Sequence, residues 1–231
     1  MGQEAVDFVI RVPHSMDSIT LEQYQRYLKV LDNNKGAETS NFVSMKFVEI
    51  FCNASLESIK SIHFSVFDEI GRILQKAFSE ETPLIRHFNL GSVEFGFMPN
   101  VSKMSIGEFL DIESNIGDWN NIHKAMAVLF RPVKKKKGDK YTIKNYSPSD
   151  NVSEAMKQMP LNVALGARVF FYHLGKDLLT HTLSYLEQEM KKTGDKQITQ
   201  QVQRLAKSGV GINQFIDSLK EMPLSSMKQQ K

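Results

Sequence analysis

The chain contains one cysteine, Cys52, so it forms no intramolecular disulfide and holds no Cys-x-x-Cys metal knuckle. Cys52 lies within the apolar segment SMKFVEIFCNAS and is expected to be a small core residue. No apolar run reaches the roughly 18 residues that a membrane-crossing helix needs. The beginning, MGQEAVDF, has no apolar signal-peptide stretch. Val6 stands where an N-myristoylation motif places Ser or Thr. An intracellular protein is the expectation. The chain also lacks a GxxxxGK[ST] phosphate loop, an HExxH metal motif and a GxSxG nucleophile elbow. KSGVGIN (207–213) has neither a preceding buried strand pattern nor a following Lys-Ser/Thr. No catalytic, cofactor-binding or metal-ligating set is therefore expected, and the chain does not read as an enzyme. A strong charge bias is absent too: a net charge of +3 and a pI near 8.8 are too weak to argue for nucleic acid by themselves.

What the chain has is alternation of capped helices and short strand patterns. With 231 residues it can bury a sizeable core, as one large domain or two small ones. AVDFVIRV (5–12) is dense in β-branched residues, stops at Pro13 and predicts a strand. Thr20 followed by Gln23 has capping-box spacing, which starts a helix near Leu21. After a turn over 33–41, helices are expected from Phe42 to Cys52, Ser55 to Ile62 and Ser65 to Phe78. On the last of these, Val66, Ile70, Ile73, Leu74 and Ala77 share one face. LIRHFNLGSVEFGFMPN predicts a hairpin turning at Gly91-Ser92. Ser105 with Glu108 repeats the capping-box spacing. Trp119, Ile122, Met126, Leu129 and Phe130 form a helical apolar stripe, with Pro132 marking a boundary near its end. YTIKNY predicts another strand, and 161–192 is the longest helical pattern.

These elements imply an α+β fold, predominantly helical, with a small mixed or antiparallel sheet. FVIRVPHSMDSITLEQY and EFGFMPNVSKMSIGEF share a layout of strand, proline, polar link and capped helix, which suggests two strand-plus-capped-helix units. Residues 1–192 are expected to form a globular helical domain. Residues 193–231 turn polar and carry Gly209 and Gly211, so a loosely packed extension is expected there.

The most conspicuous local feature is the run Lys134, Lys135, Lys136 and Lys137, followed by Gly138-Asp139 and Lys140. A contiguous basic run cannot lie against a core, and Gly-Asp supplies turn chemistry. An exposed hairpin tip between FRPV and YTIKNY is the favoured reading; contact with nucleic acid or an acidic partner is the alternative. Asp111, Glu113 and Asp118 are near enough in sequence to consider acid–base or cation chemistry. Asp118 is better placed as the N-cap of the following helix. His173 and His181 share a helix face but lie two turns apart, too far for one metal ion.

SITLEQYQRYLKV, FVSMKFVEIFCNAS, VEFGFMPNVSKMSIGEFLDIE, DWNNIHKAMAVLFRPVKKKKGDKYTIKNY and MPLNVALGARVFFYHLGKDLL together resemble a family of tailed-bacteriophage tail-assembly chaperones or baseplate-hub assembly proteins. The resemblance spans residues 5–185 and rests on core and turn patterns. It implies a non-enzymatic morphogenesis protein acting by protein–protein binding in the host cytoplasm, without a cofactor. Its partners would be phage tail, baseplate or neck proteins, with self-association and nucleic acid as further candidates and no membrane. A structural virion component, such as a neck, ring or connector subunit, is the alternative; a basic nucleic-acid-binding protein is a third reading. Phe170, Phe171 and Tyr172 place three rings around one helix, more than a core stripe requires, and form the candidate apolar partner surface. Eleven methionines suit adaptable packing, on a partner surface or in a core.

Overall fold

The computed structural model describes residues 9–148 and 152–175. The chain divides into two units, residues 1–164 and 165–231. The fold is α+β and mainly helical, with one antiparallel sheet of four strands among the described residues. In the first unit the helices are α1 (Leu21–Asn33), α2 (Asn41–Cys52), α3 (Leu56–Ser61), α4 (Phe64–Phe78), α5 (Ile106–Ile116) and α6 (Ile122–Leu129). The strands are β1 (His87–Leu90), β2 (Val93–Phe97), β3 (Phe130–Lys137) and β4 (Lys140–Ile143), arranged in chain order across the sheet. A further helical run, α7, covers 161–175 and crosses into the second unit.

The first helical layer is organised by the cap of α1. Thr20 Oγ1 accepts from the Gln23 backbone N–H at 3.2 Å, and Gln23 Oε1 accepts from the Thr20 N–H at 2.9 Å. The same glutamine amide then donates to the Ile50 carbonyl at 2.7 Å, so a local cap also ties α1 to the end of α2. α2 ends at Asn53, whose φ of 51° is left-handed, a conformation that asparagine tolerates better than most residues. Tyr27, Phe47, Phe51 and Phe78 pack edge-on or tilted at centroid distances of 4.9–5.8 Å. Tyr24 extends this cluster to Trp119 at 4.8 Å. Cys52 is buried beside it, and burial pushes its thiol up to about 11. It is a core residue, as its sequence context implies.

The second part of the core belongs to the sheet. Phe88, Phe95, Phe97 and Phe130 are all buried and meet at 5.2–5.5 Å. The β1–β2 hairpin turns at Gly91-Ser92 as expected, with positive φ at the glycine alone, the pattern of a type II′ turn. α5 opens on its own capping box, Ser105 with Glu108. α6 is buried through Ile122, Ala125, Met126 and Leu129, and passes into β3 at Phe130 with no intervening loop.

Several expectations are corrected. Residues 9–12 form no strand, and 5–8 lie outside the described residues. Strand propensity has no effect without a paired neighbour; Ile10 and Val12 instead line a groove of about 420 Å³ with Ile62, Val66 and Ile73. Val66 is exposed, because the buried face of α4 is set by Ile70, Leu74 and Ala77. Asp118 does not cap α6: the cap is Asn121, and Asp118 accepts from the Asn120 N–H and the Asn121 side chain within the preceding turn. α6 ends at Leu129, near the boundary expected at Pro132, and Pro132 itself lies within β3, opposite Phe95. It is the last β3 residue paired to β2. A missing N–H therefore falls where the ladder changes partner.

The internal resemblance survives in its second half. Each copy has a proline, a short 3-10 turn (Met16–Ser18 or Val101–Lys103) and a helix with a full capping box. The strand precedes only the second copy among the described residues. In the second unit, residues 165–175 are helical, and Leu165, Ala167 and Arg168 are buried. The expected extension 193–231 and His181 lie outside the described residues.

Leu129 has no exposed surface and ends α6 at the sheet core. Leu129→Ala should lower the unfolding free energy by about 2–5 kcal/mol. Urea unfolding checks this; an unchanged midpoint would mean that the junction is not a packed core.

Candidate functional site

The expected hairpin around Lys134–Lys137 is present, but the lysines do not form a loop. They occupy the outer half of β3, and β4 returns beside them after the two-residue turn Gly138-Asp139. β2 pairs only with Phe130–Pro132, whereas β4 pairs from Val133 to Lys137. The lysine stretch is therefore a two-stranded arm continuing past the β2 pairing. The backbone hydrogen bonds of β4 hold it extended, which residue chemistry alone did not predict because alternation is invisible in a homopolymeric run.

Register assigns the lysines to faces. Val133 pairs with Ile143 and Lys135 with Thr142, so Lys134 is the extra residue of a bulge. Lys136 then lies opposite Tyr141, and Lys137 opposite Lys140. One face carries Lys136 and Tyr141. There the Lys136 ammonium meets Glu94 Oε1 at 2.5 Å, and His87 Nδ1 is 3.1 Å from the same oxygen. The hydrogen bond from Lys136 holds the Glu94 carboxyl below the usual carboxylate range. The Tyr141 ring lies over Gly96, where an added Cβ would be 2.8 Å from the ring, and its hydroxyl donates to the Phe97 carbonyl at 2.6 Å. Burial raises the Tyr141 hydroxyl, an effect larger than the opposing hydrogen bond with Arg86. The opposite face carries Lys135, Lys137, Lys140 and Thr142, all exposed. None of Lys134, Lys135, Lys137 and Lys140 has a carboxylate within ion-pair distance among the described residues.

A second surface lies on α5. Glu108, Ile112 and Ile116 face inward, while Ile106, Phe109 and Leu110 are 79%, 53% and 51% exposed. Their i, i+3, i+4 spacing puts them on one face. Sequence reasoning missed this triad in favour of Phe170, Phe171 and Tyr172. The signal was available: IGEFLDIESNI has two apolar stripes where one would satisfy the core. Phe170, Phe171 and Tyr172 are each half-buried on 161–175, with Phe170 and Phe171 edge-to-face at 5.5 Å.

The polar groups nearby serve as braces. Glu108, buried at the start of α5, meets Arg131 of β3 at 2.8 Å. Burial alone would raise its carboxyl, but the Ser105 N–H and hydroxyl and the Arg131 guanidinium together hold it low. The Tyr146 hydroxyl donates to Asp111, which pushes the tyrosine up to about 12. Asp111, Arg131, Tyr146, Lys124 and Lys144 line a cleft of about 240 Å³ whose charges are of both signs. Glu113 is exposed and Asp118 belongs to a turn, so the three acidic residues do not converge. No group of three or more His, Cys, Asp or Glu side chains among the described residues is placed to hold a metal ion. No helix among them is long and apolar enough to cross a membrane.

A buried polar chain lies elsewhere in the first unit. The Gln25 amide donates to the Trp119 carbonyl at 2.6 Å and lies 3.3 Å from His123 Nδ1. A donor facing Nδ1 puts the imidazole proton on Nε2, which lies 3.4 Å from Glu154 Oε1. His123 is held below 6.5, first by burial and then by the Lys157 and Lys124 charges, against the pull of Glu154. Comparison with protein families, with curated proteins and with solved structures returned no match.

Two predictions follow from this geometry. Gly96→Ala should cost about 1–3 kcal/mol, because the new methyl meets a ring fixed by its hydroxyl bond. A double-mutant cycle with Tyr141→Ala should recover part of that loss, the remainder being the methyl's 3.0 Å approach to Val133 Cγ2, and additive costs would refute the ring contact. The second concerns pH. His123 binds fewer protons folded than unfolded, so stability is lost as pH falls below about 6.5 and this contribution is complete above it. His123→Gln should flatten the rise in urea midpoint between about pH 5 and 6.5.

Proposed function

We propose that the protein is a non-enzymatic morphogenesis protein of a tailed bacteriophage, an assembly chaperone that binds a tail or baseplate component in the host cytoplasm. The observation that carries this reading is the exposed Ile106–Phe109–Leu110 face of α5. Large apolar side chains at helical spacing are suited to a groove or a second apolar face. Their helix is anchored by a capping box and by the Glu108–Arg131 ion pair, so the surface is presented rigidly. The segment VEFGFMPNVSKMSIGEFLDIE, one of those carrying the phage-family resemblance, contains this face.

A chaperone leaves the finished particle, whereas a neck, ring or connector subunit stays. Mass spectrometry of assembly intermediates and purified virions should find the protein with tail or baseplate proteins in the first and not in the second. Phe109→Glu should weaken that association by roughly 30-fold, the loss expected for a central apolar anchor of about 2 kcal/mol. Stoichiometric presence in virions would assign the structural role instead, and undiminished association of the variant would remove α5 as the contact.

A further inference from the structure

We propose that the Lys135–Lys137–Lys140 face of the β3–β4 arm is a nucleic-acid contact that grips the phosphate backbone without reading sequence. This surface is separate from the α5 face and does not depend on the assembly role. The charge arrangement of this face is unfavourable in the free protein. Lys137 and Lys140 are directly opposed across the ladder, and like charges so placed destabilise a strand pair. Lys135 lies two residues from Lys137 on the same side, roughly 7 Å along the strand. The bulge at Lys134 leaves that side with three ammonium groups while Lys136 turns to Glu94. Asp139, in the turn, is the only acidic residue between Val133 and Lys144. An anion laid along the face relieves the repulsion.

The composition of the face identifies the anion's source. Thr142 supplies a hydroxyl beside the three lysines, and the ladder places no apolar side chain on this side of the arm between Lys135 and Thr142. Protein interfaces centre on apolar and aromatic anchors and are depleted in lysine. Phosphate contacts are made by Lys, Arg and hydroxyl side chains, and a two-stranded ribbon fits the major groove of a duplex. Arginine, asparagine and glutamine are absent from this face, and lysine engages phosphate as a flexible point charge instead of a planar fork, so binding independent of sequence is expected.

Fluorescence anisotropy of the full chain with two labelled DNA duplexes of unrelated sequence tests this. Both should bind equally. With three phosphate contacts, affinity should fall about 40-fold between about 50 and 200 mM salt. The Lys135→Ser/Lys137→Ser/Lys140→Ser variant should lose binding and the salt slope. A charge-matched Lys29→Ser/Lys76→Ser/Lys103→Ser control should keep both, and an all-arginine version of the arm should bind at least as well as the native chain. Far-ultraviolet circular dichroism confirms that each variant is folded. No binding at low salt, equal losses in the arm variant and the control, or tighter binding to polyglutamate or phosphatidylserine vesicles than to DNA would each overturn the proposal.

Discussion

The first unit depends on the junction at Leu129–Phe130, where a buried helix becomes a strand without a loop. Leu129 completes the inward face of α6 and Phe130 begins the aromatic cluster of the sheet; neither has exposed surface. The Leu129 carbonyl accepts from the Met98 N–H at 2.8 Å, just beyond the end of β2. Helix packing and sheet pairing therefore share consecutive residues, and a shift in either would move the other. Every feature of the outer arm inherits its position from this point. β3 leaves the core, changes partner after Pro132, and carries the lysines out along β4.

The two capping boxes do comparable work at the other helices. A capping box ordinarily satisfies donors at one helix end. Here each glutamine or glutamate also reaches a distant element: Gln23 the last turn of α2, and Glu108 the Arg131 guanidinium of β3. The start of α1 is further pinned by Leu21 N–H to Met159 O and Leu161 N–H to Ile19 O, which make a short antiparallel bridge. Local signals are thus reused as tertiary joints. That is economical in a chain whose helices in the first unit are at most 15 residues long and gain most of their stability from packing.

Two exposed surfaces of the first unit run against the interests of the isolated fold. The α5 triad leaves apolar area in water, and the arm sets like charges opposite one another. Both are held by defined supports, the capping box with the Glu108–Arg131 pair and the β3–β4 ladder, so their exposure is imposed by the structure and is not slack at its edges. Under the two proposals made above, the first surface would be the contact for a protein and the second the contact for a polyanion.

Much of the architecture was legible in the residues, because its signals are local. Ser/Thr followed three residues later by Glu or Gln located both capped helices, Gly91 and Gly138 located the hairpin turns, and helical spacing located most of the buried faces. Where expectation failed, the deciding term was a partner remote in sequence. Residues 9–12 have strand propensity but no strand paired to them among the described residues; Asp118 has capping chemistry but α6 begins four residues later, at Ile122, behind the cap Asn121; Val66 shares the apolar stripe of α4 but lies at its exposed margin. For the lysine run, sequence alone determined that it must be exposed, since unpaired ammonium groups cannot be buried. Only tertiary structure decided that it is a strand, and which lysines face together, because a side-chain period of two cannot be read from identical residues and the bulge that sets it exists only in the pairing with β4.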